Sequence, residues 1–352
     1  MYGLAASSLG ALLLFAAAHI TPAETITLSQ VSPTTTSPNG IYRWLDAADQ
    51  QLSAAFRNSF QYSQASVTVE FETPSPTFRG TLTAVGLKPN FAYQVKLLGT
   101  PGTDSNERIG LAGRWWQQMW LGASWSAGWN LNNKGDGTSP NPNDLTYFET
   151  RDMTAAGSPN GKLYLYTGYL LLGYFITDAA GNATVPFAAD SSYHVLWSTT
   201  QLTRSAADGP LVSASFDPAP GQIGYDADYP PRTVSIFGEW ERLPAGGVFP
   251  KPGDYACSLI LTEESFHGGL AYSGGWAAAM GGSLQFRILA TPPGDCNRDC
   301  YVNILDMLFV RNHLGQDPTS NANAKLADVN ADGRVNILDL LAVRQHLTET
   351  CR

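Results

Sequence analysis

Two short stretches near the C-terminus carry the residue types from which a cation site can be built. Asp295, Asn297, Asp299, Tyr301, Asn303 and Asp306 stand at positions 1, 3, 5, 7, 9 and 12 of the first. Asp328, Asn330, Asp332, Arg334, Asn336 and Asp339 stand at the same positions of the second. The offset is 33 residues, and Asp295–Leu314 matches Asp328–Leu347 at 13 of 20 positions, so one unit occurs twice. Calcium is a hard cation that takes about six to eight oxygens, and a loop with donors at these positions wraps one ion. Positions 1, 3 and 5 offer side-chain oxygens. Position 7 offers the backbone carbonyl of Tyr301 or Arg334, position 9 an Asn acting through water, and position 12 a carboxylate for bidentate binding. The pattern therefore predicts calcium as cofactor, two ions in all.

Each loop needs a neighbouring element to hold it. Ile304, Leu305, Leu308 and Val310 recur at helical spacing after the first, and Ile337, Leu338, Leu341 and Val343 after the second. No helix signal precedes either loop, so each unit reads as a loop plus one helix. This paired pattern, over residues 295–347, resembles the dockerin family, type I-like. The resemblance implies that the twelve positions named above hold the two ions. It also implies that the module docks onto a cohesin-like module of a scaffolding protein or cell-surface anchor. Dockerins usually accompany polysaccharide-degrading enzymes, which places the chain in a polysaccharide-related setting and makes polysaccharide a possible partner of the body.

Two features depart from that family. Position 6, where a sharp turn wants Gly, is Gly333 in the second loop but Cys300 in the first. A Cβ at a positive φ costs about 1 kcal/mol or more, so the first site is weaker or a disulfide holds its turn. Positions 10 and 11, which often contact the cohesin, are the apolar pairs Ile304-Leu305 and Ile337-Leu338. They either pack on the protein's own β-sandwich body or face an apolar partner.

The body precedes a stiff Thr291-Pro292-Pro293-Gly294 linker, giving domains 24–290, 291–294 and 295–352. Val67–Phe71 and Arg79–Val85 alternate with period two, as half-buried strands do. Leu87-Lys88-Pro89-Asn90-Phe91-Ala92-Tyr93 resembles the tyrosine corner of fibronectin type III sandwiches, which implies that Tyr93 hydrogen-bonds back across the preceding turn. Leu163–Leu172 reads as a strand, and Asp178–Asn182 as a hairpin turn from which Thr184–Phe187 pairs back. A short helix falls within Tyr42–Phe56. Residues 100–160, rich in Gly, Asn, Asp, Pro and Trp, read as a long loop. The fold class is mainly β: a Greek-key sandwich, of one unit or of two subdomains at about 24–110 and 145–290, with a small helical tail.

Catalytic chemistry is harder to place. Glu239 and Glu241 flank Trp240, and Glu263-Glu264 sits before His267. Paired carboxylates hydrolyse glycosides, but solvated edge carboxylates are the plainer reading of all four. The alternative function is thus a hydrolase of O-glycosyl bonds carrying a dockerin. The principal reading is a non-catalytic secreted protein whose tail attaches its body. A third is a structural surface or matrix protein with its tail folded back. Trp115, Trp116, Trp120, Trp125 and Trp129 suit a sandwich core before a sugar platform. Asp190, Ser192 and His194 lack the nucleophile turn of a hydrolase. No phosphate loop, zinc spacing or dinucleotide fingerprint appears.

Composition narrows the classes further. Net charge is −9 with no basic run, which excludes nucleic acid as a partner. Leu9–Ala18 has the length of a signal-peptide core, with cleavage expected after Ala23, so residues 1–23 predict export to the outside or surface of the cell. No segment is long enough to span a bilayer. Export permits disulfides. Cys257, Cys296, Cys300 and Cys351 allow three full pairings, and a bond from Cys351 to Cys296 or Cys300 would tie the two ends of the tail.

Overall fold

The computed structural model describes residues 23–31, 44, 52–126, 129–130, 142–189, 195–198, 211–216, 232–238, 250–264, 276–319 and 322–352. Most of the expected export signal, with Asp190, Ser192, His194, Glu239 and Glu241, lies outside them.

Thirteen strands are described: β1 (Ala23–Gln30), β2 (Ser66–Glu72), β3 (Arg79–Val85), β4 (Ala92–Leu98), β5 (Arg114–Met119), β6 (Trp129–Asn130), β7 (Tyr164–Ile176), β8 (Ala183–Ala188), β9 (Val195–Ser198), β10 (Leu211–Phe216), β11 (Arg232–Gly238), β12 (Gly253–Glu264) and β13 (Trp276–Ile288). Ten join in the order β6-β5-β7-β4-β12-β13-β1-β2-β3-β8, with antiparallel neighbours, and β10-β11-β9 form a small separate sheet. Strand β1 is the pivot. Ala23–Leu28 pair with β2, while Ser29 and Gln30 pair with β13. One strand thus passes from the β8-β3-β2 half to the β13-β12-β4-β7 half, and the two halves enclose a common core.

Alternation decides which side chains enter that core. In β2, Val67, Val69 and Phe71 are buried and Ser66 and Glu70 exposed. In β3, Leu82 and Ala84 point inward and Val85 outward. Opposite them lie Val95 and Leu97 of β4, Leu259 and Leu261 of β12, and Leu284 and Phe286 of β13. Phe78 bridges the halves, with its ring centroid 5.5 Å from Phe187 and 4.3 Å from Phe286. The architecture is the mainly β sandwich expected.

Strands β4 and β7 are largely buried on both faces, β4 with Gln94 and Lys96 on the side away from Val95 and Leu97, and a helix covers β7. Helix α1 (Ala54–Ser59) overlaps the end of the expected short helix; α2 (Asp104–Ala112) packs on β7. Thr103 caps α2 by accepting the Asn106 N–H, at 3.2 Å. Buried Asn106 then accepts the Gly168 N–H at 2.7 Å and donates to the Tyr166 carbonyl at 3.0 Å. The expected long loop at 100–160 is corrected here. It contains α2, the core strand β5 and α3 (Pro142–Thr150). Trp115 is fully buried, stacked on Tyr147 with centroids 4.0 Å apart.

A second correction concerns β8, which pairs with β3 and not with β7. The turn at Asp178 does close locally, for the Asp178 carboxylate accepts the N–H of Ala180 and of Asn182, each at 2.8 Å. Its backbone also joins the β3–β4 connection: Leu87 N–H donates to the Gly181 carbonyl at 3.0 Å, and Asn90 N–H to the Asp178 carbonyl at 3.1 Å. Those bonds carry the chain across the core into the other half. On the same connection Tyr93 forms the expected corner, its hydroxyl accepting the Lys88 N–H at 3.2 Å.

The tail has its own core of Val302, Val310, Val335, Val343, Ala324 and Ala327. Its helices are α4 (Ile304–Asn312), α5 (Ala322–Ala327) and α6 (Ile337–Gln345). Helix α5 immediately precedes the second loop, so that unit is not a bare loop-plus-helix. Among the described residues no helix is long and apolar enough to cross a membrane.

Candidate metal centre and docking face

Both Asp-rich loops close on themselves through one hydrogen-bond pattern. Asp295 accepts the N–H of Asp299 on one carboxylate oxygen and that of Cys300 on the other, each at 3.1 Å. Asp328 accepts those of Asp332 at 3.1 Å and Gly333 at 3.0 Å. At position 3, Asn297 and Asn330 accept the N–H two residues on, each at 3.0 Å. At position 5, Asp299 accepts the Tyr301 N–H at 2.9 Å, and Asp332 the Arg334 N–H at 3.0 Å. The position-9 amides of Asn303 and Asn336 donate to the carbonyls of Tyr301 and Arg334 at 3.2 and 3.3 Å. Each set of six expected residues therefore lies in one locally hydrogen-bonded loop.

Position 12 couples each loop to its helix. Asp306 and Asp339 are fully buried. One oxygen of Asp306 accepts the N–H groups of Cys296 and Asn297, at 2.8 and 3.2 Å, and the other accepts that of Asn303 at 2.9 Å. Asp339 holds Asn330 and Asn336 alike, at 3.1 and 2.8 Å. Asn303 and Asn336 in turn cap α4 and α6, so each helix starts with a complete capping box. A shift of the loop shifts the helix start.

In the first loop the electrostatics favour a cation. Burial, then the charges of Asp306 and Asp299, push the Asp295 carboxyl up to about 6. Burial also raises Asp306. Gathered carboxylates repel one another, and their oxygens fit a hard divalent ion. Asp295 also lies with Cys300 and Cys351 in a close group, but those sulfurs are joined in a disulfide and offer no thiolate. That disulfide resolves the anomaly at position 6. Cys300 takes φ 70°, where Gly333 takes 82°, and its link to Cys351 ties the first loop to the end of the chain. Cys257 and Cys296 are buried free thiols.

The apolar pairs of positions 10 and 11 are exposed: Ile304 62%, Leu305 53%, Ile337 61% and Leu338 51%. Leu308 and Leu341, one turn on, are exposed at 38% and 45%. These side chains do not pack on the sandwich. The tail meets the body by another edge. Ala290 and Arg352 exchange N–H···O=C bonds at 3.0 and 3.1 Å. A cavity of about 320 Å³ opens beside them, lined by Glu72, Arg79, Leu289, Asp299, Tyr301 and Thr350 among others.

Of the weak catalytic candidates, Glu239 and Glu241 fall outside the described residues, and of Glu264 only the backbone is described, paired with Trp276 at the end of β12. Its neighbour Glu263 corrects the expectation of a solvated carboxylate, for it is fully buried against Lys88 in the sandwich core. Sequence reasoning missed that pair, since 175 residues separate its members. The one signal was a Lys inside the tyrosine-corner turn. A second cavity, of about 350 Å³, lies on the body beside Tyr147, Tyr164, Tyr166, Arg151, Asp152 and Asn160.

Residues 293–348 match the family model of the dockerin type I domain. The chain matches no curated protein and no solved structure.

Proposed function

We propose that this chain, which ends in a dockerin type I domain, is an exported β-sandwich protein fastened by that domain to a cohesin-bearing extracellular assembly that handles polysaccharide. Dockerin domains bind cohesin modules, and type I dockerins are calcium-binding. In this reading each loop takes one ion, two in all. The ligands are Asp295, Asn297, Asp299, the Tyr301 carbonyl, Asn303 and Asp306, and then Asp328, Asn330, Asp332, the Arg334 carbonyl, Asn336 and Asp339. Bound calcium supplies the positive charge that draws the carboxylates together. The protein's own groups do the rest. The position-12 carboxylates fix the loops, the position-9 amides fix the first turns of α4 and α6, and those turns present the partner-binding side chains.

One observation carries the reading: Ile304, Leu305 and Leu308, with Ile337, Leu338 and Leu341, stand exposed at equivalent places on two calcium-loop helices. Exposed apolar clusters of this kind mark interaction sites. Their chemistry selects a cohesin with an apolar platform. The run at Leu9–Ala18 supports export, and the tyrosine-lined cleft on the body is where a sugar would be sought.

The test uses full-length protein, a panel of cohesins and calorimetry. Calcium should titrate two sites, and a cohesin should be retained in calcium and released by chelator. Ile304→Asp with Ile337→Asp should weaken retention at least tenfold while calcium uptake is unchanged. Retention that survives both substitutions and chelator would sink the docking face. Incubation with soluble polysaccharides should show binding without new reducing ends; release of reducing ends would instead make the body an enzyme.

A further inference from the structure

In the sandwich core, away from the tail, Lys88 Nζ stands 2.7 Å from Glu263 Oε1, and both side chains are 0% exposed. Lys88 lies in the turn between β3 and β4, while Glu263 is on β12, opposite Tyr93 in the register. Aromatic rings enclose the amino group, with Nζ 3.9 Å from the centroid of Trp44, 4.8 Å from Phe91 and 5.4 Å from Tyr62. The Tyr62 hydroxyl donates to the same Glu263 oxygen and stands 2.8 Å from the Tyr93 hydroxyl. Burial and then the Glu263 charge push its pKa well above the ordinary tyrosine value, so it stays a proton donor. Two ions wholly removed from water carry a large desolvation cost. Joining the two groups through an amide would remove both charges, and the pair is held in fixed contact and shielded from the water that would reverse such a condensation.

We propose that Lys88 and Glu263 are joined by an intramolecular amide bond, which clamps the tyrosine-corner turn to β12. The Lys88 ammonium gives one proton to the Glu263 carboxylate. The freed lone pair attacks the carboxyl carbon, with the Tyr62 hydroxyl stabilising the negative charge that develops on oxygen. An N–C bond forms and a C–O bond breaks. The departing hydroxyl takes the second amine proton and leaves as water. Nothing is oxidised or reduced, and no co-reactant is consumed. The product is a neutral amide where two charges were buried.

The deciding measurement is mass spectrometry of the denatured, oxidised full chain, once its N-terminus has been read. The expected mass is one water below that of the linear chain, and proteolysis should yield a branched peptide containing both Lys88 and Glu263. Lys88→Met should restore the linear mass. Tyr62→Phe should leave freshly made protein as a mixture of the two masses. A wild-type chain of linear mass overturns the proposal. So does a water lost elsewhere, with Lys88 and Glu263 recovered in separate linear peptides. Should Lys88→Met fail to fold, the wild-type peptide map alone distinguishes the branched chain from the linear one.

Discussion

Single atoms hold this sandwich together at its turns and close approaches. The Tyr93 hydroxyl accepts the N–H of Lys88 in a turn buried beneath aromatic rings. Tyr93→Phe keeps the ring and deletes the hydroxyl that accepts this buried N–H. The expected loss is about 1–3 kcal/mol in denaturant unfolding; an unchanged midpoint would show that the corner adds no stability. Gly168 is a steric case. A Cβ there would meet the Asn106 carbonyl oxygen at 2.4 Å and the Gly110 nitrogen at 2.5 Å, both backbone atoms of α2. Gly168→Ala therefore forces the helix off β7, at about 1–3 kcal/mol, read as a lower melting midpoint.

At the scale of elements, the tail works as two loop-and-helix levers. Asp306 and Asp339 each close a loop and complete a capping box. Replacing either by Ala deletes the N3 half of its capping box and its acceptor for the buried loop N–H groups, at about 1–3 kcal/mol, and on the reading proposed above should also remove one of two calcium sites. Calorimetric stoichiometry should fall from two to one in each variant and to none in the double. A variant that still binds two ions would detach position 12 from the metal. The loops were legible in the sequence because their chemistry is local: every donor lies within twelve positions of the first. Helix α5 was not, because Ala322–Ala327 is short and its burial comes from Ala324 and Ala327 entering the tail core.

At the scale of the molecule, the Cys300–Cys351 disulfide spans a sequence separation of 51. In the chain-entropy account a closure of that length stabilises by about 4 kcal/mol. It also holds Cys300 at its positive φ, with its N–H on Asp295. Reduction, or Cys351→Ser, should therefore lower the melting midpoint of the tail and weaken calcium uptake by the first loop more than by the second. Superimposable calcium isotherms for oxidised and reduced protein would separate the disulfide from the metal site.

The chain order by itself determined the twin loops, the helices after them, the alternating strands and the tyrosine corner. Each is written in side chains a few positions apart, where backbone geometry alone sets who meets whom. Only the tertiary structure decided that β8 crosses to β3, that α2 roofs β7, that Lys88 finds Glu263, and that Cys300 takes Cys351 as its partner. Those pairings join residues distant along the chain. They are chosen by which packing excludes water from the most apolar surface while satisfying the polar groups enclosed with it.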